Sequence, residues 1–182
     1  AQNRAGGSAD LFDHLSSAYE SPRNRRFYAE TSKMMTGQPY DFGAGGAGVC
    51  CLDLACGTGI STEVAIAEAP DANWFAVDGS AAMLRIARDK SVLRSVTFLH
   101  SPAEAIPLPS GTFNWILCNI AYHWLPPIAV QEIERLLLPN GRLSLIVPLT
   151  LPSANESGNR WLRGVLARFS RILVSRRSQG LT

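Results

Sequence analysis

From residue 49 onward the chain alternates between short apolar runs and stretches of helical length. VCCLDL, NWFAVD, VTFLH, FNWILCN and RLSLIV each have the length of a strand. Ser61–Ala69, the segment carrying Met83, Leu84 and Ala87, and Pro127–Leu138 have helical spacing, with Ser80 placed to cap the second of them. Strands joined through helices run parallel, because the helix carries the chain back across the sheet to its starting edge. The expectation is an α/β fold: a doubly wound, mostly parallel sheet with helices on both faces.

Two amphipathic helices are predicted before this region. Leu11, Phe12, Leu15, Ala18 and Tyr19 share one stripe, and Phe27, Tyr28, Thr31, Met34 and Met35 repeat it after a break near Ser21-Pro22. The glycine-rich GQPYDFGAGGAG follows. Residues 1–48 therefore read as a helical lid or cap with a connection, and residues 49–182 as the main α/β domain. At the far end Trp161, Leu162, Val165, Leu166, Phe169, Ile172 and Leu173 predict a closing amphipathic helix.

All 15 acidic residues precede position 159, whereas Arg160, Arg163, Arg168, Arg171, Arg176 and Arg177 follow it. So local a basic stretch argues against a nucleic-acid-binding surface spread over the fold. It suits solvated guanidinium groups, an acidic acceptor or carrier, or an anionic membrane surface. With 182 residues, 46% of them hydrophobic, the chain can bury a core without staples. Cys50, Cys51, Cys56 and Cys118 form no CxxC pair and have no histidines at ligand spacing, so neither a metal site nor a disulfide framework is expected. No apolar run is long enough to predict an integral membrane segment, and AQNRAGGSAD lacks the apolar centre of a signal peptide; a cytoplasmic location is the expectation.

In an open α/β sheet, ligands sit beyond the carboxyl ends of the strands, where the strand order reverses. The first such turn reads Asp53-Leu54-Ala55-Cys56-Gly57-Thr58-Gly59. Its glycines let backbone approach a ligand and lead into a helix N-terminus. A phosphate-binding P-loop would need a lysine, and none lies between Lys33 and Lys90; a dinucleotide fingerprint would need glycine at position 62, which is Thr62. Asp78, ending the second strand, is placed to accept both hydroxyls of a ribose.

These segments resemble the class I S-adenosylmethionine-dependent methyltransferases, in particular the small-molecule branch that includes the biotin-pathway malonyl-carrier and trans-aconitate methyltransferases. LDLACGTG is similar to their first motif, AVDGSAAML to the second-strand acid and its helix, FNWILCNIAYHWL to the fourth-strand segment, and RLLLPNGRLSLIVP to the helix, turn and fifth strand. The resemblance spans about Phe12 to Pro148. It implies a Rossmann-like methyltransferase fold and S-adenosylmethionine as cofactor, with Asp53, Gly57 and Gly59 along its methionine portion and Ala55 among the cofactor-binding residues. Asp78 would hold the ribose and Met83 pack on the adenine, Gly79, Ala103 and Glu104 would be further cofactor-binding residues, and Asn119 would sit near the reaction centre. His123 is the candidate base and Tyr19 a residue closing over the cofactor.

The chain departs from that pattern in three places. Pro102 stands where an adenine-contacting aspartate is usual, leaving Glu104, Ser101 or a backbone carbonyl for the task. Asn114 replaces the usual fourth-strand aspartate. No closing C-terminal strand pair follows the fifth strand, so a partner or a further segment is expected to complete the sheet edge. The implied function is methylation of a small acidic or carrier-linked acceptor. The alternatives are a quinone- or lipid-type C-methyltransferase and a non-catalytic methyltransferase-like assembly protein.

Overall fold

The computed structural model describes residues 4–36, 48–147 and 172–174. Six strands, β1 (Cys50–Leu54), β2 (Asn73–Asp78), β3 (Thr97–His100), β4 (Phe113–Asn119), β5 (Leu137–Ile146) and β6 (Ile172–Val174), form one sheet in the order β3-β2-β1-β4-β5-β6. Every pairing is parallel. The chain steps outward from β1 to β3, then returns to place β4 on the other side of β1. The reversal between β1 and β4 creates the crevice in which such sheets bind ligands.

Helices cover both faces, and the period-two alternation of strand side chains divides the core accordingly. Leu52 and Leu54 of β1 join Val130, Ile133 and Leu136 of the helix Ala129–Leu136 on one side. Cys51 joins Ala65 of the helix Ile60–Glu68 and Leu84 and Ala87 of the helix Ala81–Arg88 on the other. Alternation is interrupted in β4: Phe113 belongs to the first core and Trp115 to the second, across an irregularity in the pairing with β5. Asn114 lies within that irregularity, and its Oδ1 accepts the Cys50 N–H at 3.0 Å. It ties β4 to the start of β1, away from the ligand end.

The helix expected over Pro127–Leu138 is shorter, because Leu137 pairs with Phe113 and opens β5. The expected turn Pro139-Asn140-Gly141 is an excursion inside that strand, with Asn140 at φ 67. A Cβ at Gly141 would stand 2.9 Å from the Leu138 carbonyl oxygen and 3.1 Å from that of Phe113. Only glycine fits there.

Numbered in chain order, the helices are α1 (Arg4–Tyr19), α2 (Pro22–Thr36), α3 (Ile60–Glu68), α4 (Ala81–Arg88) and α5 (Ala129–Leu136). Pro22 occupies the first position of α2, where its missing N–H has no intrahelical role. The two N-terminal stripes match the buried faces only in part: Thr31 and Met35 of the second are buried together with Ser32 and Thr36, whereas Leu11, Leu15, Phe27 and Met34 are exposed. The reason lies in what α2 covers. It rests on the polar end of β4, at Asn119, where the Thr31 and Ser32 hydroxyls find a partner, while Met35 packs into the core on the α3 side.

The predicted C-terminal helix falls mostly on residues 148–171, outside the described residues. Ile172 and Leu173, placed on its stripe from sequence, instead belong to β6, opposite Leu143 and Ser144 of β5. A short apolar run fits a helix stripe or a buried parallel strand equally well until a neighbour selects one. The edge of β5, expected bare, thus carries one parallel strand. Among the described residues no helix is long and apolar enough to cross a membrane.

Candidate functional site

The turn after β1 needs unusual backbone angles. Ala55, Gly57 and Gly59 have φ of 56, 55 and 81, and the turn is pinned to β2 by the Cys56 N–H donating to the Val77 carbonyl at 3.0 Å. The two glycines serve different ends. A Cβ at Gly59 would collide with Leu93 Cδ1 at 2.6 Å, so Gly59 lets α3 pack against the segment after α4; at Gly57 a Cβ would meet only the Met83 sulfur, at 4.0 Å. Space beside the turn is therefore left at Gly57. Such a cradle fits a ligand lying against bare backbone.

Asp78 faces this turn from the end of β2. Its Oδ2 accepts the Gly57 N–H at 2.7 Å and its Oδ1 the Ser80 N–H at 2.8 Å. A carboxylate offers about four acceptor positions, so two remain for hydroxyls of a ribose. Burial pushes its pKa up, against the pull of the two backbone N–H donors. Ser80 caps α4 as expected, accepting from the Met83 N–H at 3.1 Å. Met83 is fully buried, its sulfur beside Gly57.

Asp53 lies deeper, 1% exposed, and its Oδ2 accepts from the Thr62 hydroxyl at 2.6 Å. Its Oδ1 is buried with no partner among the described residues. Desolvation raises this carboxyl to about 7 in spite of the Thr62 bond, with Asp78 adding to the rise.

α1 and α2 close over these residues. Asp13 of α1 accepts from the Ala82 N–H at 3.2 Å and from the Ser80 hydroxyl, so α1 docks on the N-terminus of α4. Gly79 lies under Ala9. A ring of four charges joins the cap to the body: Glu20 pairs with Arg25 and with Lys90 at 2.9 Å, and Glu63 pairs with Arg25 at 2.9 Å and Lys90 at 2.6 Å.

Asn119, at the end of β4, is buried, and its Nδ2 lies within hydrogen-bond distance of the Tyr28 carbonyl, Thr31 Oγ1, Ser32 Oγ and Ser61 Oγ at 2.9 to 3.2 Å. The Thr31 and Ser32 hydroxyls themselves donate to α2 carbonyls, so they are acceptors toward the amide. Asn119 is thereby a strut among α2, α3 and β4. The next residue, Ile120, takes φ 53, a strained angle for a β-branched side chain.

Beside this end of the sheet the aromatic rings form a row. Trp124 and Phe12 meet edge to face at 5.3 Å, Phe12 and Tyr19 at 6.0 Å, Tyr19 stacks on Tyr28 at 5.4 Å, and Phe27 meets Tyr28 at 5.3 Å. Burial pushes the Tyr19 phenol pKa up, with Tyr28 and then the Asp78 carboxylate adding to the rise, so it is a neutral donor. His123 lies at the other end, its ring 5.3 Å from that of Trp124. Its Nδ1 is buried without a partner among the described residues, and burial lowers its pKa.

On the third side, the Ser101 N–H donates to the Asp78 carbonyl at 3.2 Å, and the Ser101 hydroxyl donates to the Ala105 carbonyl at 2.8 Å. That hydroxyl is committed within its own turn. Ala103 is buried in the α5-side core, Glu104 half-buried and Pro102 exposed. Cys56 and Cys118 are buried with thiols pushed up, so they act as small packing groups.

The structure thus brings Asp53, Ala55, Gly57, Gly59, Asp78, Gly79 and Met83 to one crevice, with Tyr19 above it. Sequence reasoning missed Thr62, treated only as a glycine that was absent, and the cap contacts of Asp13, Glu20, Arg25, Glu63 and Lys90. A threonine three residues after the second glycine, one helical turn into α3, is a signal that could have pointed to Asp53. The charge ring joins residues up to 70 positions apart and has no local signal.

The family model described as "Methyltransferase domain" matches residues 52–145. Demethylmenaquinone methyltransferase from Chlamydia pneumoniae is 39% identical over 111 residues, covering 59% of this chain and 47% of that protein. Malonyl-[acyl-carrier protein] O-methyltransferase from Alcanivorax borkumensis is 36% identical over 114 residues, covering 62% of this chain and 39% of that protein. The chain thus spans less than half the length of these two relatives. Among solved structures, an S-adenosylmethionine-dependent methyltransferase from Aquifex aeolicus superposes with a TM-score of 0.66 at 20% identity, over 85% of this chain and 87% of that one. At that identity the likeness is one of fold.

Proposed function

The chain belongs to the methyltransferase domain family, whose members use S-adenosylmethionine, and on that premise we propose that the crevice at the ends of β1 and β2 binds this cofactor for methyl transfer to a small acceptor. The observation that carries the proposal is Asp78 closing the Gly57 turn at 2.7 Å. A carboxylate held by backbone, with acceptor capacity left over, stands beside bare backbone.

When bound, S-adenosylmethionine supplies an electrophilic methyl group on a sulfonium. The chain's own residues bind and orient. Asp78 would accept ribose hydroxyls, Gly57 would let the ligand lie on the backbone, and Met83 would pack beside it. Tyr19 and Tyr28 would exclude water from above. Positioning of this kind can supply about 7 to 11 kcal/mol. His123, kept neutral by burial, would take a proton from an acceptor that must lose one.

Two acceptor classes have support. A small acidic or carrier-linked acceptor suits the arginines after residue 159, and one relative is named for a malonyl-carrier substrate. The row Trp124-Phe12-Tyr19-Tyr28-Phe27 favours a second reading, a flat apolar ring of the quinone type, and another relative is named for demethylmenaquinone. Aromatic faces bind planar rings by stacking.

Calorimetric titration with S-adenosylhomocysteine tests the cofactor site, with micromolar binding expected. Methyl transfer from labelled cofactor to a malonylated carrier protein and to a short-chain demethylmenaquinone analogue then separates the acceptors. Absence of S-adenosylhomocysteine binding would refute the assignment.

A further inference from the structure

We infer that Thr62 is a positioning residue for the cofactor site: its hydroxyl holds one oxygen of the Asp53 carboxylate and leaves the other for the ammonium group at the amino-acid end of the cofactor. The inference rests on the function proposed above and concerns a residue outside the motif that the resemblance identifies.

The geometry is unusually committed for a threonine in a helix. Such hydroxyls ordinarily donate back to a carbonyl one turn earlier, yet Thr62 Oγ1 crosses to Asp53 Oδ2 at 2.6 Å. Both residues are shut off from solvent, Thr62 at 0% and Asp53 at 1% exposure. A hydroxyl has one proton, so the bond selects Oδ2. Oδ1 remains buried and without a partner among the described residues.

A buried carboxylate calls for a cation or several donors. Among the described residues, the titratable groups that face Asp53 are Asp78 from β2, the Cys56 thiol of the glycine turn and the Cys118 thiol of β4. None is cationic. Asp78 opposes ionisation, burial keeps both thiols neutral, and among the described residues the Thr62 hydroxyl is the one group acting in favour of the charged form. A ligand carrying an ammonium group supplies the missing charge. Thr62 then has two effects: it fixes the carboxyl rotation, and it keeps the carboxylate available at neutral pH.

The test uses the full 182-residue chain with S-adenosylhomocysteine, titrated calorimetrically from pH 6 to 8.5. Thr62→Val keeps the shape and removes the hydroxyl, and Thr62→Ser keeps the hydroxyl. Losing one hydrogen bond to a charged group corresponds to about a tenfold change in an equilibrium constant. The expected result is about tenfold weaker binding by Thr62→Val at pH 6.5, a gap that narrows toward pH 8.5 as Asp53 ionises unaided, and near-normal binding by Thr62→Ser. In the ligand-free chain the Asp53 carboxyl resonance should titrate at higher pH in Thr62→Val and not in Thr62→Ser.

A loss equal at every pH, with the Asp53 titration unmoved, overturns the inference and leaves the cofactor site standing. Should Thr62→Val fail to fold, Thr62→Ala in an Asp53→Asn background serves instead: little additional loss beyond Asp53→Asn supports the coupling, and full additivity overturns it. Wild-type protein that binds no S-adenosylhomocysteine overturns both this inference and the function on which it rests.

Discussion

Gly57 donates its backbone N–H to Asp78 Oδ2 at 2.7 Å, so the carboxylate that ends β2 also closes the turn that ends β1. The same side chain holds the Ser80 N–H and thereby the start of α4. One residue orients both walls of the crevice before any ligand arrives. Asp78→Ala should therefore lower stability by about 1 to 3 kcal/mol, the cost of leaving buried donors unmet, and weaken S-adenosylhomocysteine binding at least tenfold. Urea denaturation and calorimetry read the two effects separately. Unchanged affinity would place the ribose elsewhere.

The two glycines of the turn should separate packing from binding. Gly59→Ala puts a methyl 2.6 Å from Leu93 Cδ1 and 3.3 Å from Ala87 Cβ at φ 81, so it should lower the melting temperature more than Gly57→Ala. Gly57→Ala meets only the Met83 sulfur at 4.0 Å and carries about 1 to 2 kcal/mol of backbone strain. It should fold with a lowered melting temperature and lose ligand binding. Melting curves with and without S-adenosylhomocysteine distinguish the two.

The pH dependence of the ligand-free chain should carry the mark of Asp53. Its folded pKa, about 7, lies above its ordinary value of 3.8, so the folded state keeps a proton that the unfolded state has released. That contribution to stability is complete below pH 3.8 and is lost as the pH rises through 7. Asp78, also pushed up, acts in the same direction. Melting temperature should fall between about pH 5 and 8, and Asp53→Asn should flatten the slope in that window. Asp13, Glu20 and Glu132 are held low and act oppositely at more acidic pH.

Asn119 should behave as a structural residue before it behaves as a catalytic one. Its amide links β4 to Tyr28, Thr31 and Ser32 of α2 and to Ser61 of α3. Asn119→Ala removes that link and opens a small cavity, with an expected loss of about 2 to 4 kcal/mol. Hydrogen exchange should quicken across α2 while β1 and β2 keep their protection. If stability is unchanged, the strut assignment fails.

Lys90 is the shared cation between Glu20 of the cap and Glu63 of α3, at 2.9 and 2.6 Å. Lys90→Met should leave Arg25 as the remaining cation of the ring and loosen the cap, with about 1 to 2 kcal/mol lost from a partly buried network. Faster dissociation of S-adenosylhomocysteine, more evident at high salt in the wild type, is the expected outcome in stopped-flow measurements.

Periodicity made much of the fold legible because the interactions behind it are local. Each of NWFAVD and FNWILCN is a strand with the bounds its apolar run suggests, the break at Ser21-Pro22 separates two helices, and Ser80 caps the helix after it. The glycines and acids of the turn were likewise readable, since unusual backbone angles leave few residue choices. Three things were decided only when distant segments met. Ile172 and Leu173 became strand because β5 offered an open edge. Of the α2 stripe Thr31 and Met35 are buried, but Leu11, Leu15, Phe27 and Met34 stay exposed because of what α1 and α2 cover. Thr62, silent as sequence, became the partner of Asp53 because α3 lies against β1. Local chemistry sets which elements form; which polar groups must find each other is settled by burial, and burial exists only in the assembled fold.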